Sequence, residues 1–159
     1  MKYLSGVLAF AVTFFIGVLA VTTPAQDDSE LVRIANNFSE SFKNVDEQTM
    51  ERLLADDFRY YTDLPCSYKD CDLGAGKDDY IKGIVEERRD RGFSVLSVDM
   101  KYIRPDTDEQ SSASERKISF KCKLVSTANG RTYKYHSVVT YFFRKIDDEW
   151  KISKIENYR

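Results

Sequence analysis

The residues able to carry chemistry are few and scattered: one histidine (His136), three cysteines (Cys66, Cys71 and Cys122), and the acids Asp56, Asp57, Asp63 and Asp79 beside hydrophobic segments. General acid–base work needs an acid matched to a partner within hydrogen-bond reach. Asp56 and Asp57 stand where a helical pattern hands over to a strand pattern, and Asp63 near the end of that strand. Acids at such handovers are ordinarily turn residues. His136 shares its strand parity with Lys134 and Arg144, which places it on the solvent side, so no serine triad can be assembled around it. No histidine cluster is available to hold a metal. Neither a catalytic residue, a metal nor a cofactor is assigned.

Cys66 and Cys71 are separated by four residues in Pro65–Gly74, a stretch of loop composition without a neighbouring Cys or His to complete a zinc site. A local disulfide is expected there, worth about 2 kcal/mol for so short a loop. Cys122 alternates with Ile118, Phe120 and Leu124 and reads as a buried, unreactive thiol.

Binding is better provided for than catalysis. Tyr102, Tyr135 and Tyr141 fall on the apolar parity of their strands and are candidate pocket walls, although ten Tyr and ten Phe must also fill a core. On the opposite parity Val138 and Phe142 sit beside charged neighbours, a pattern expected of a self-association face. Asn37-Phe38-Ser39 is an acceptor sequence for N-glycosylation, with Asn37 on the polar side of a helix.

The elements that must position these residues follow from periodicity. Asp27 is placed to cap a helix, with Glu30 reaching back, and Leu31, Ile34, Ala35, Phe38, Phe42 and Val45 recur at three- and four-residue steps. Asp46 opens a second short helix carrying Met50, Leu53 and Leu54, which is expected to stop near Ala55–Asp57. Phe58 to Leu64 reads as a strand, Gly74–Gly76 as a flexible hinge, and Lys77 to Arg91 as a third helix.

The remainder alternates. Leu96, Val98, Met100 and Tyr102 face one way and Ser97, Asp99 and Lys101 the other. A polar loop, Pro105–Ser114, leads to a strand at Lys117–Val125. Asn129-Gly130 is a hairpin turn, Arg131–Lys145 returns, Asp147-Asp148 turns again, and Trp150–Tyr158 closes the sheet.

The first 25 residues read as a targeting segment. Between Lys2 and Asp27 there is no charge, Leu4 to Val21 is mostly apolar, and Ala20 and Ala25 offer cleavage points, Ala25 being preferred. An uncleaved anchor is the competing reading, since the stretch approaches the ~20 residues that span a bilayer. Both readings place residues 26–159 outside the cytosol, in a secreted or extracellular setting. Removing 25 of 159 residues leaves 134, the size of one domain, with 23 basic against 26 acidic residues. The basic run at Arg88–Arg91 is interleaved with acids, so there is no nucleic-acid signature.

Helices followed by a long meander predict an α+β fold, three helices packed on a curved antiparallel sheet. The chain resembles the nuclear transport factor 2-like superfamily in its paired N-terminal helices running into Leu53-Leu54-Ala55-Asp56-Asp57-Phe58, its later single helix, and its ending Tyr141-Phe142-Phe143-Arg144-Lys145-Ile146-Asp147-Asp148-Glu149-Trp150-Lys151-Ile152. The resemblance covers nearly all of residues 26–159 and rests on element order and hydrophobicity. It implies a cone whose sheet curls around a pocket, and often a homodimer through the outer sheet face.

That superfamily contains isomerases, dehydratases, cyclases and adaptors, so fold leaves activity open. Its steroid-isomerase-like members use a carboxylate base in an apolar cavity, and its dehydratase-like members a histidine with an acid. Here the inward positions Leu96, Val98, Met100, Tyr102, Ile118, Phe120, Cys122 and Leu124 include no carboxylate. The expectation is therefore a secreted module that binds a small apolar ligand or a protein. An isomerase, dehydratase or cyclase is the alternative, and it needs Asp56, Asp57, Asp63 or Asp79 to enter the pocket. A cystatin-type inhibitor is disfavoured because none of Gln26, Gln48 and Gln110 begins Gln-x-Val-x-Gly.

Overall fold

Leu31, Ile34, Ala35 and Phe38 line one side of the first helix, α1 (Ser29–Asn44), and all four are buried against the sheet. This computed structural model of the chain describes residues 28–62, 74–103, 112 and 114–158. Burying a side chain the size of Phe38 contributes about 1.5–3 kcal/mol, so this stripe fixes the helix more firmly than its polar side can. The cap of α1 is Asp28, one residue later than periodicity predicts, and its carboxylate makes no bond to the helix. Asp27, the predicted cap, lies outside the described residues.

Val45 closes α1 in a left-handed conformation with φ 56°, and Asp46 then caps α2 (Glu47–Leu53) by accepting the Thr49 amide at 3.1 Å. That bond holds the exposed Asp46 carboxyl below its ordinary range. The expected helix end at Ala55–Asp57 is not found: β1 (Leu54–Thr62) begins directly after Leu53. Leu54 and Ala55 are both buried, which an extended backbone accommodates beside the sheet. The expected hinge is likewise a short strand, β2 (Ala75–Gly76), paired antiparallel with Arg59 and Tyr60. Helix α3 (Lys77–Arg91) matches its sequence limits and ends on Gly92 at φ 59°, where a residue without Cβ is least strained.

Four long strands complete the chain: β3 (Ser94–Ile103), β4 (Glu115–Ala128), β5 (Arg131–Ile146) and β6 (Glu149–Tyr158). They form one six-stranded sheet in the order β2-β1-β6-β5-β4-β3. The sheet is mixed, not wholly antiparallel as expected from the sequence, because β1 runs parallel to β6. Hairpins dictate the antiparallel pairs, whereas β1 reaches β6 only through the rest of the chain and is free of that constraint.

Two bulges decide which side chains face inward. In β3, Val95 pairs with Ser126 and Ser97 with Val125, so Leu96 is an extra residue and is 54% exposed. This corrects the expectation that Leu96 faces the interior; Val95 does so instead. In β6, Phe142 pairs with Lys154 and Phe143 with Ile152, leaving Ser153 extra, its hydroxyl donating to the Phe142 carbonyl at 3.2 Å. Inward side chains Ile118, Phe120, Cys122, Val139, Tyr141, Phe143, Ile152 and Ile155 meet the helices in a single core.

Candidate functional site

The helices do not seal the whole inner face of the sheet. Between α1, α3 and strands β3 to β6 lies a cavity of about 900 Å³. Its helical side is built from Phe38 and Phe42 of α1 and Tyr80 and Ile84 of α3; its sheet side carries Val98, Met100, Leu124, Val139 and Ile155. The aromatic groups brace one another. Tyr80 lies 6.3 Å from Phe38 and 4.7 Å from Tyr60, and Phe38 meets Tyr141 edge-on at 6.2 Å. Contacts in this range add to the burial energy and hold the wall in place.

The polar groups of the sheet wall are neutral. Tyr141 is buried, its hydroxyl directed at Met100 Sδ at 3.8 Å, and desolvation, followed by the nearby Cys122 and Tyr60, pushes its ionisation up. Burial, and then the charge of Asp99, also pushes the Cys122 thiol up, which favours its neutral form. Tyr60, Thr62, Ser126 and Asn157 complete this wall, with Asn157 Nδ2 placed 3.4 Å from Tyr60 Oη.

Among the described residues, the carboxylates that border the cavity, Asp79, Glu86 and Glu87, all come from α3. Asp79 is exposed, Glu86 faces Lys82 at 3.9 Å, and Glu87 is paired with Arg91 at 3.3 Å. Asp56 and Asp57 are exposed and border no part of the cavity. Asp56 pairs with Lys77 at 3.1 Å and Asp57 with Arg144 at 2.5 Å, the latter bond holding the Asp57 carboxyl below its ordinary range. Asp63 lies outside the described residues. Among the described residues no three His, Cys, Asp or Glu side chains converge as metal ligands.

Of the three predicted tyrosines, Tyr135 and Tyr141 border the cavity. Tyr102 does not: its hydroxyl donates to the Asp28 carboxylate at 2.5 Å. His136 is exposed, across from Lys123 on the outer face. Val138 is on that face and 40% exposed, while Phe142 is half-buried beneath the Lys154 ammonium, 3.7 Å from the ring centre. Asn37 is exposed on α1. Cys66, Cys71 and the apolar N-terminal segment lie outside the described residues.

Sequence reasoning missed Phe38, Tyr60, Tyr80 and Asn157 as cavity residues. Tyr60 and Tyr80 stood in aromatic or helical patterns that gave their side but not what faced them. Asn157 was hidden by the Ser153 bulge, because strict alternation from Ile152 would turn Asn157 outward.

No protein-family model matches the chain, and no curated protein matches it in sequence. Solved structures do match in shape. A nuclear transport factor 2-like protein from Cytophaga hutchinsonii shares 13% identity over 84% of this chain and 98% of its own, with a TM-score of 0.65. A ketosteroid isomerase-like protein from Erwinia carotovora atroseptica shares 14% identity over 83% of this chain and 97% of its own, with a TM-score of 0.64. A nuclear transport factor 2-like protein of unknown function from Prochlorococcus shares 15% identity over 84% and 92%, with a TM-score of 0.62. At such identities the likeness is one of fold: this chain, with three helices and a mixed six-stranded sheet, has the nuclear transport factor 2-like fold.

Proposed function

We propose that the chain is a binding module whose cavity takes a small, largely apolar ligand. The observation that carries this reading is the pairing of a roughly 900 Å³ cavity with an aromatic and aliphatic wall whose sheet side bears no carboxylate among the described residues. A cavity of this size suits a small organic molecule. A base for proton abstraction would have to come from the α3 carboxylates, two of which face cations and the third of which is exposed.

The test is titration with Nile red, an uncharged fluorophore, against wild type and Leu124→Trp. The larger ring projects into the cavity from a half-buried position. Saturable binding by wild type, lost in a Leu124→Trp protein of unchanged circular dichroism, is expected. Equal binding by both proteins would place the dye elsewhere and remove the reading.

The proposed setting is extracellular, with residues 1–25 as a signal peptide and Asn37 available for glycosylation. It is supported by the uncharged stretch from Tyr3 to Gln26 and by the exposure of Asn37. The outer sheet face is proposed as a surface for weak self-association, centred on Val138 and its cross-strand partner Tyr158, which are 40% and 44% exposed.

A further inference from the structure

Asn157 is the feature of the cavity that apolar binding leaves unexplained. Its Oδ1 is buried and has no hydrogen-bond partner among the described residues. Buried acceptors are almost always satisfied, and an orphan on a residue that borders a cavity marks a place where a donor belongs. The side chain is well anchored for that purpose. Its backbone pairs with Thr62 on one side and Val139 on the other, and Nδ2 points to Tyr60 Oη at 3.4 Å, which leaves Oδ1 as the open atom.

We propose that the ligand is an uncharged molecule bearing a hydroxyl group, and that Asn157 Oδ1 accepts the hydrogen bond from that hydroxyl. The proposal rests on the cavity being a ligand site, as argued above, and adds the chemistry of the ligand's polar end. A carboxylate or phosphate would set its oxygens against the amide oxygen. The cations bordering the cavity, Lys82 and Arg91, both belong to α3, and Arg91 is paired with Glu87. An ammonium would need an anion beside it to be buried, and the carboxylates bordering the cavity are also on α3. A neutral donor needs only an unpaired acceptor, which Asn157 Oδ1 supplies.

The experiment compares three probes of similar size, 2-naphthol, 2-methylnaphthalene and 2-acetylnaphthalene, on the full domain by calorimetry, for wild type and Asn157→Leu. Taking the naphthol-to-methylnaphthalene affinity ratio within each protein cancels the probes' different solubilities. That ratio is expected to fall about fivefold to tenfold on substitution, the loss of one neutral hydrogen bond, while methylnaphthalene binds both proteins alike. Asn157→Ala, which introduces no new bulk, serves the same comparison if the leucine variant folds poorly.

Three results overturn the proposal in different ways. If no probe binds wild type, the cavity reading falls and this proposal with it. If the probes bind and the ratio is unchanged, the cavity stands and the role of Asn157 is wrong. If 2-acetylnaphthalene, an acceptor, suffers the fivefold to tenfold loss in place of naphthol, the open atom of the amide is its donor and the ligand is a carbonyl compound.

Discussion

Tyr102 and Asp28, 74 positions apart, are joined by a 2.5 Å hydrogen bond from the phenol to the carboxylate, and Arg116 donates to the other carboxylate oxygen. This cluster ties the start of α1 to β3 and β4. The apolar parity of Tyr102 is real, since its ring lies 5.9 Å from Phe120, but its hydroxyl serves the frame and not the cavity. Asp28 could have capped its own helix; the two donors from the sheet claim its oxygens instead.

The consequence is a stability effect without a binding effect. Tyr102→Phe is expected to lower unfolding free energy by about 1–2 kcal/mol, and Asp28→Ala by about 2–3 kcal/mol, as bonds to a partly buried charge are stronger than neutral ones. The double variant should cost less than the sum of the two, because the single changes share one bond. Urea unfolding of all four proteins measures this. Nile red affinity of the folded variants should stay within twofold of wild type; a larger loss would return Tyr102 to the cavity wall.

Tyr141 makes a prediction about pH. Burial favours its neutral form, so its ionisation in the folded protein lies above the ordinary tyrosine range near 10. For an acid whose folded ionisation is raised, the stabilisation is complete below the unfolded value and is lost as pH climbs beyond it. Stability should therefore be insensitive to Tyr141 below about pH 9 and decline above about pH 10. Tyr141→Phe should flatten that decline at a cost of about 1 kcal/mol or less at neutral pH, since the bond to Met100 Sδ is long at 3.8 Å. Unfolding curves at pH 7 and pH 10.5 for both proteins decide it. An equal alkaline loss in both would assign the effect to other groups.

How much of this was readable in advance depended on where the backbone kept its period. The stripe from Leu31 to Phe38 located α1, and the alternation through Ile118, Phe120 and Cys122 located the inner face of β4, because burial acts on every repeat of a regular element. Parity failed at Leu96 and Ser153. One added residue reverses every side chain beyond it, and neither residue type announces a bulge. Asn157 became visible only after the second reversal was known. The parallel pairing of β1 with β6 was illegible for a different reason: it joins distant segments and carries no turn to mark it. Asp56 and Asp57 were legible as structural acids, but neither their place inside β1 nor their partners, Lys77 and Arg144, could be read.

The outer face of the sheet sets apolar and electrostatic forces against each other, and that conflict predicts how self-association should respond to salt. Its exposed apolar area is small: Val138 and Tyr158 lie opposite one another, while Lys154 covers Phe142. Around them stand exposed lysines, with Lys101 directly opposite Lys121, and Lys117 and Lys123 farther along the same strand as Lys121. None of these four makes an ion pair among the described residues. A two-fold contact through this face would set the lysines of one copy near those of the other, so repulsion should oppose it at low ionic strength. Screening acts over about 30 Å at 0.01 M salt and about 3 Å at 1 M. Sedimentation velocity is therefore expected to show monomer at 0.01 M salt and a growing dimer fraction toward 1 M, with Val138→Lys monomeric throughout. A dimer that weakens with added salt would mean opposite charges meet across the interface, and the contact would then have to lie on another face.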